Sequence, residues 1–272
     1  MVLEGLLKEY KDLGQGGKSG FTSLSEYKTS VGRGFSAPDV IVWQGYGDPY
    51  SKNPIEDEVK RERALTAAEI WKLWAEGFGV YPLVITSGAE CRDRRYDAEK
   101  GRSYFLEGLE ISKYRGNVEP EIELETESVA SSHHPVNSLK IVNSKGIIRK
   151  NKYGDFQAIF CTSPCGHMSR ALWCWKHVFR RLYGASVFGV HPDFSVLDGK
   201  EDFLEQEKLS WKKVRLAEYV LPRNLEFRLF GTKFRGMNRM FPGMEVAVME
   251  YNSTRNQLLS YPARDTLVRT YE

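Results

Sequence analysis

A short polar turn between an apolar strand and an amphipathic helix carries the residue types best suited to chemistry. Residues 161–170 read CTSPCGHMSR. Thr162 and Ser163 supply hydroxyls, while His167 and Arg170, three residues apart, share one face of the first helical turn. The unpaired N–H groups of a helix N-terminus favour anions such as phosphate or carboxylate. We therefore predict an anion site at this turn.

In this site Thr162 and Ser163 contact the ligand, Arg170 clamps its charge, and His167 acts as general acid or base near neutral pH. A second interpretation stays open. In it, His167 only caps the helix and Arg170 pairs with a neighbouring acidic residue.

Three earlier loops at the same edge of the predicted sheet are also polar. Ligands of open α/β sheets bind outside the carboxyl ends of the strands, so these loops are expected to meet. A lone Gly-x-Gly suits a plain tight turn as well as a phosphate cradle, and Ser-Gly also suits a simple strand-ending turn. The candidates in chain order are Gly45, Gly47, Ser87, Gly88, Glu125, Ser128 and Ser131.

Two charged residues on the predicted helices add to this set. Arg63 lies one turn before Ala67 on an apolar helix face, where a cation needs a carboxylate or a ligand. Glu99 lies near the start of the next helix. We expect Glu99 and Glu125 to orient Arg63 or to hold a ribose-type hydroxyl.

Cysteines and histidines raise the question of a metal. Cys161, Cys165, His133, His134 and His167 are the candidate ligands, but their spacing is poor for zinc. We predict no metal, with Cys161 packed in the core and the cysteines reduced. A metalloprotein that uses His133, His134 and His167 remains an alternative, as does Cys165 as a nucleophile.

A regular alternation of strands and helices must position these loops. Strands separated by helices of ten or more residues require parallel crossovers. The prediction is an α/β fold with a doubly wound, mostly parallel, Rossmann-like sheet of about five core strands, the third near an edge because it alternates with glutamates. The predicted strands are 40–43, 83–86, 122–124, 156–161 and 186–190.

This domain is predicted to span residues 38–190. Residues 1–37 are predicted to form an N-terminal arm with a flexible, Gly/Ser-rich section. Its Gly16-Gly17-Lys18-Ser19 is not a phosphate loop, because Asp12 stands where that loop needs glycine. Residues 191–272 are predicted to be an α+β extension packed on the core, with a helix at 203–221 and a strand at 244–251.

Charge and hydropathy exclude some classes of partner. The 39 basic and 36 acidic residues are interleaved along the chain, which argues against a nucleic-acid partner. No window approaches the roughly 18 consecutive apolar residues of a membrane span, and the N-terminus is charged where a signal peptide would be apolar. These features predict a cytoplasmic protein.

The motifs together resemble the YdcF/SanA/ElyC-like family of Rossmann-like α/β proteins over residues 40–190. Where the family usually has Glu-Asn, this chain has His133-His134. The resemblance implies a Rossmann-like fold with a pocket lined by the shared motifs. S-adenosylmethionine binding is associated with one member and cell-envelope roles with others. The matching residues are Gly45, Gly47, Arg63, Ser87, Gly88, Glu99, Glu125, Ser128, Ser131, Thr162, Ser163, His167, Met168, Arg170 and Ala171.

Two functional hypotheses follow. The first is an enzyme that performs group transfer or hydrolysis on a nucleotide-like or otherwise anionic small molecule, S-adenosylmethionine being one candidate. The second is a non-catalytic sensor or carrier that uses the same pocket and engages a protein partner. Substrate, reaction, cofactor and oligomeric state are not fixed by the sequence.

Overall fold

A computed structural model describes residues 20–31, 36–45, 54–89, 96–128, 133–147, 156–162, 171–172, 175 and 186–198. The strands in these ranges are β1 (Gly20–Ser23), β2 (Val40–Gln44), β3 (Leu83–Ser87), β4 (Ile122–Glu125), β5 (Gln157–Cys161) and β6 (Ser186–His191). The helices are α1 (Leu24–Ser30), α2 (Pro54–Phe78), α3 (Asp97–Ile111) and α4 (His133–Ser144). Ala171, Leu172 and Trp175 are also helical.

All six strands are parallel and form one sheet in the order β1-β6-β5-β2-β3-β4. The prediction of a mostly parallel, Rossmann-like α/β fold is confirmed, and β4 lies at an edge as predicted. The chain moves outward from β2 through β3 to β4, then returns to β5 on the other side of β2. The gap between β2 and β5 is therefore the topological switch point, where ligands of such sheets bind.

The first strand and helix were not predicted, since they lie in the segment assigned to the N-terminal arm. β1 pairs with β6, with Gly20 opposite Phe188. Ser23 begins α1 through a capping box, in which its hydroxyl accepts the N–H of Glu26 at 3.2 Å and the Glu26 carboxylate accepts the N–H of Ser23 at 3.4 Å. Tyr27 then anchors α1, because its buried hydroxyl accepts a hydrogen bond from Trp74 Nε1 at 2.7 Å.

Side-chain alternation along the strands builds a core on each side of the sheet. Val40 and Val42 face the layer that contains α4 and Trp175. Ile41 and Trp43 face the opposite layer, which contains α1, α2 and α3. The sheet is thus covered on both faces, which accounts for its nearly continuous apolar strands.

Helix α2 passes through Gly77 and ends at Phe78, which is half exposed. Gly79 takes the positive φ of 64° that terminates the helix. Within the described residues, no helix combines the length and apolar character needed to cross a membrane.

Candidate functional site

A row of buried polar side chains crosses three neighbouring strands at their carboxyl ends. Gln44 on β2 pairs with Ser87 on β3, and Ser87 pairs with Glu125 on β4. Paired residues of parallel strands project to the same face, so the three side chains lie side by side on the α4 face. All three are buried. On this face β2 and β3 are apolar up to this level and polar at it, which marks the carboxyl end of the sheet as a candidate site.

Glu125 is the centre of a hydrogen-bond network. Its Oε2 accepts the Ser87 hydroxyl, and its Oε1 accepts the backbone N–H of Glu127 at 2.7 Å and Nδ2 of Asn137 at 3.3 Å. The same Asn137 amide donates to Ser128 Oγ at 3.1 Å. Three donors therefore converge on one buried side chain and fix its position.

His134 joins this network from the first turn of α4. Its Nδ1 lies 2.6 Å from Ser87 Oγ. The Ser87 hydroxyl thus stands between a carboxylate and an imidazole. This differs from a Ser-His-Asp triad, in which the histidine stands between the other two groups.

The loops after β3 and β4 run together and hold the network in place. The N–H of Gly88 donates to the carbonyl oxygen of Glu125 at 2.8 Å, and the N–H of Ala89 donates to that of Ser128 at 3.0 Å. These bonds extend the sheet pairing beyond the ends of the strands. The backbone at Glu125 and Ser128 is therefore fixed by the loop that follows β3.

A charged cluster lies across the same edge, on the α2 and α3 side. Lys60 Nζ contacts Asp97 Oδ1 at 2.9 Å, and the side chains are only 6% and 7% exposed. Arg63, fully buried one turn further along α2, donates from Nη1 to the carbonyl oxygens of Gln44 at 2.8 Å and Gly45 at 3.0 Å. These two bonds join Arg63 to the end of β2.

Two of the predicted glycines make room for Asp97. A Cβ on Gly88 would lie 2.5 Å from Asp97 Cβ, and one on Gly45 would lie 3.3 Å from Asp97 Oδ2 and 3.2 Å from the carbonyl oxygen of Ser87. A side chain at position 88 would collide with α3. Because Gly45 and Gly88 carry no side chain, Asp97 can approach the ends of β2 and β3 closely.

The switch point between β2 and β5 is also polar. Trp175 Nε1 donates to Gln44 Oε1 at 3.1 Å. Thr162 directly follows Cys161, the last residue of β5, which pairs with Trp43. Thr162 therefore extends the polar row past the end of β5 at the level of Gln44. Thr162 is fully buried, and its N–H donates to the Val190 carbonyl at 3.0 Å. Among the described residues its hydroxyl has no hydrogen-bond partner.

Cys161 lies on the other face of β5, in the core, as predicted. Burial raises the pKa of its thiol well above the ordinary value, an effect that the nearby Arg63 opposes only in part. A thiol held in this form is a poor nucleophile and a poor metal ligand.

Several predicted site residues lie together in the structure. Gly45, Arg63, Ser87, Gly88, Glu125, Ser128 and Thr162 all occupy the carboxyl edge of the sheet. Glu99 is instead exposed, and its carboxylate accepts the N–H of Tyr96 at 3.3 Å at the start of α3. It lines a small groove with Asp57, Lys100, Ser103 and Tyr104. The residues Gly47, Ser131, Ser163, His167 and Arg170 lie outside the described residues, as does Cys165.

The sequence prediction missed five contributors to this edge. Lys60 had a usable signal, because it lies three residues before Arg63 on the same helix face. His134 was considered only as a metal ligand or as part of a polar loop. Gln44 directly follows a predicted strand, which is the same signal that Ser87 carries. Asp97 and Asn137 carried no distinctive spacing, and tertiary packing brings them to the edge.

In the described part of the chain, no three His, Cys, Asp or Glu side chains cluster as a metal site would require. Comparisons with protein-family models, with curated proteins and with solved structures found no match.

Proposed function

We propose that this chain is a small-molecule-binding Rossmann-like protein that acts as an enzyme on a nucleotide-like or otherwise anionic ligand, by group transfer or hydrolysis. The ligand binds at the carboxyl ends of β2, β3 and β5. One observation carries the proposal: the buried polar row of Gln44, Ser87 and Glu125 reaches the topological switch point of the sheet.

The energetics of the edge support a functional reason for these residues. A buried ion pair such as Lys60–Asp97 gains little over well-packed apolar side chains, because desolvation offsets the attraction between the charges. Stability alone therefore does not explain a buried lysine, arginine, aspartate and glutamate at one end of a sheet. Concentration of buried ionisable groups at the end where α/β sheets bind ligands is typical of functional sites.

The chemistry of the edge suggests the class of ligand. Arg63 places positive charge close to the end of β2, which favours an anionic group. The hydroxyl, amide and carboxylate groups of the row suit the hydroxyl and amino groups of a sugar or base. Ser163, His167 and Arg170, which follow β5 in sequence, are proposed to complete the anion site. S-adenosylmethionine remains a candidate through the resemblance.

A sensor or carrier is the second candidate. Glu125 is already saturated by Ser87, Asn137 and the N–H of Glu127, so the network is preformed. A rigid, preformed network serves binding without turnover as well as it serves catalysis. Incubation with a bound ligand separates the two, because an enzyme changes the ligand and a sensor returns it unaltered.

A thermal-shift screen with S-adenosylmethionine, nucleotides and sugar phosphates tests the proposal. A ligand at 100 times its Kd stabilises the fold by about 2.7 kcal/mol, which raises Tm by roughly 5–10 °C in a chain of this size. We expect one class to produce such a shift in the wild type, with a smaller shift in Ser87→Ala.

The matched control is Ser144→Ala, at the exposed end of α4, about 15 Å along the helix from His134. It should shift as the wild type does. If no ligand class shifts the wild type, or if both serine variants respond equally, the proposal is wrong.

A further inference from the structure

Strand β6 also ends in a polar side chain, and it faces the same side of the sheet as the polar row. The pairing of β5 with β6, continued by one residue, places His191 beside Thr162. A Cβ on Gly189 would lie 2.8 Å from Phe160 Cζ, so position 189 faces the layer that contains α4. His191 lies two residues further along the strand and therefore projects to that face as well.

The imidazole ring of His191 is held by the next residue. Its Nδ1 lies 2.7 Å from the carbonyl oxygen of Pro192. A carbonyl oxygen only accepts hydrogen bonds, so Nδ1 carries a proton and donates it to this bond. Proline also keeps the residue before it extended, which holds His191 in line with the strand. The side chain is partly exposed, and Nε2 is the ring nitrogen that a ligand can reach.

Thr162 brings a second hydrogen-bonding group to the same place. Its side chain is fully buried, and in the described part of the chain its hydroxyl has no hydrogen-bond partner. Buried hydroxyls are normally paired, because an unpaired one has lost its bonds to water without replacement. Next to a histidine at the ligand-binding edge of the sheet, such a hydroxyl is a group that a ligand can complete.

The opposite end of the polar row is less suited to an anion. There the Ser87 hydroxyl, the Asn137 amide and the N–H of Glu127 all contact the carboxyl group of Glu125. An anion bound at the end of β4 would compete with Glu125 for these donors. The ends of β5 and β6 impose no such competition on the Thr162 hydroxyl.

The acidic residue that follows β6 is turned away from this place. Asp193 lies two residues after His191, and its carboxylate bonds to α1. The N–H of Ser25 donates to Oδ1 at 2.9 Å, and the Ser25 hydroxyl donates to Oδ2 at 2.7 Å. These bonds offset the negative charge of Asp193, so it is a weak obstacle to an anion beside the imidazole.

We infer that Thr162 and His191 form an anion subsite at the ends of β5 and β6 that takes a phosphate group of the ligand. The Thr162 hydroxyl and Nε2 of His191 contact the phosphate oxygens, and the sugar or base lies towards Gln44 and Ser87. A phosphate with a P–OH group suits either state of Nε2, since its oxygens accept from N–H and its hydroxyl donates to a lone pair. The inference rests on the proposed function and orients the ligand within it.

Reaction with diethyl pyrocarbonate measures access to Nε2, because this reagent acylates the ring nitrogen that carries no proton. Peptide mapping after reaction at about pH 8, where an ordinary imidazole is neutral, gives the rate at His191. Inorganic phosphate is the probe, compared with potassium chloride at the same ionic strength, and added N-acetylhistidine corrects for consumption of the reagent. We expect phosphate at about ten times its Kd to slow the modification roughly tenfold.

Thr162→Val links this protection to the proposed subsite. It removes the hydroxyl and keeps the N–H that donates to Val190. Thermal denaturation should show no loss of stability, because the hydroxyl has no described partner, whereas phosphate should no longer protect His191. The matched control is Thr86→Val, which should keep the protection. Thr86 is equally buried and its hydroxyl also lacks a described partner, but it faces the layer of α2 and α3 with Trp43.

Equal modification of His191 in phosphate and chloride would overturn the inference, as would a native His191 that does not react at all. The wild type decides both points even if Thr162→Val fails to fold. Protection that persists in folded Thr162→Val would also overturn it. A ligand that shifts Tm while phosphate leaves His191 unprotected would refute the subsite alone. Protection by phosphate without any ligand-induced shift would refute the proposed function alone.

Discussion

The buried Lys60–Asp97 pair allows a double-mutant cycle that separates a structural role from a functional one. The two charged atoms lie 2.9 Å apart and both side chains are nearly inaccessible to solvent. Removing one partner leaves an uncompensated buried charge, which costs about 3–5 kcal/mol, whereas removing both leaves none. We expect Lys60→Met and Asp97→Asn each to lower the free energy of unfolding by that amount, and the double variant to be about as stable as the wild type.

Urea denaturation of the four proteins at neutral pH, followed by circular dichroism, gives the coupling energy. The chain supplies a matched control, because Arg61 and Glu107 join the same two helices through an ion pair that is substantially exposed. The cycle of Arg61→Met and Glu107→Gln should show a far smaller coupling, since solvent screens the exposed pair.

The double variant then tests function. If Lys60 and Asp97 are kept for a ligand, the folded double variant should lose the ligand-induced thermal shift. The reasoning is refuted in either of two ways. Additive losses in the double variant would show that the charges do not compensate each other, and full ligand affinity in it would show that the pair lies outside the site.

Three further predictions concern the frame around the site. Gly101→Ala should lower the free energy of unfolding by about 1–3 kcal/mol, because its Cβ would lie 2.3 Å from Trp43. Gly77→Ala, in open space on α2, should not destabilise the fold, and thermal denaturation of the two variants measures the difference. Cys161 should resist alkylation at about pH 8 until the protein is unfolded in urea, and peptide mapping that found it modified in the native state would contradict its burial. Burial raises the pKa of Asp193, but hydrogen bonds from the first turn of α1 outweigh this and hold it below the ordinary value. The contribution of Asp193 to stability is therefore present above the unfolded-state pKa of about 3.9 and is lost as the pH falls through the folded-state pKa. Urea denaturation at a series of acidic pH values should show that the free energy of unfolding of Asp193→Asn falls less steeply with decreasing pH than that of the wild type.

The sequence predicted the centre of the fold better than its edge. β2, β3 and β5 are short apolar runs buried on both faces, and such runs separated by helical periodicity specify a parallel sheet. β1 has four residues, three of them only partly buried, so no hydrophobic pattern reveals it. Pairing with β6 rather than local propensity makes it a strand.

The same distinction holds for the site. Ser87 and Glu125 could be predicted because each ends a strand, and topology brings the ends of parallel strands together. Lys60 on α2 and Asp97 on α3 lie 37 residues apart in the sequence, and their contact depends on the space left by Gly45 and Gly88. Such a contact depends on tertiary packing, which the spacing of residues in one sequence does not encode.

Hydrogen–deuterium exchange of the wild type with and without the ligand found by thermal shift tests the central claim most directly, because it locates binding without any substitution. A ligand at the carboxyl edge of the sheet should slow amide exchange at Gly45, Gly88, Ala89 and residues 126–128, and leave exchange in α1 unchanged. Protection confined to the groove around Asp57, Lys100 and Tyr104, with none at the ends of β2, β3 and β4, would contradict the assignment of the site.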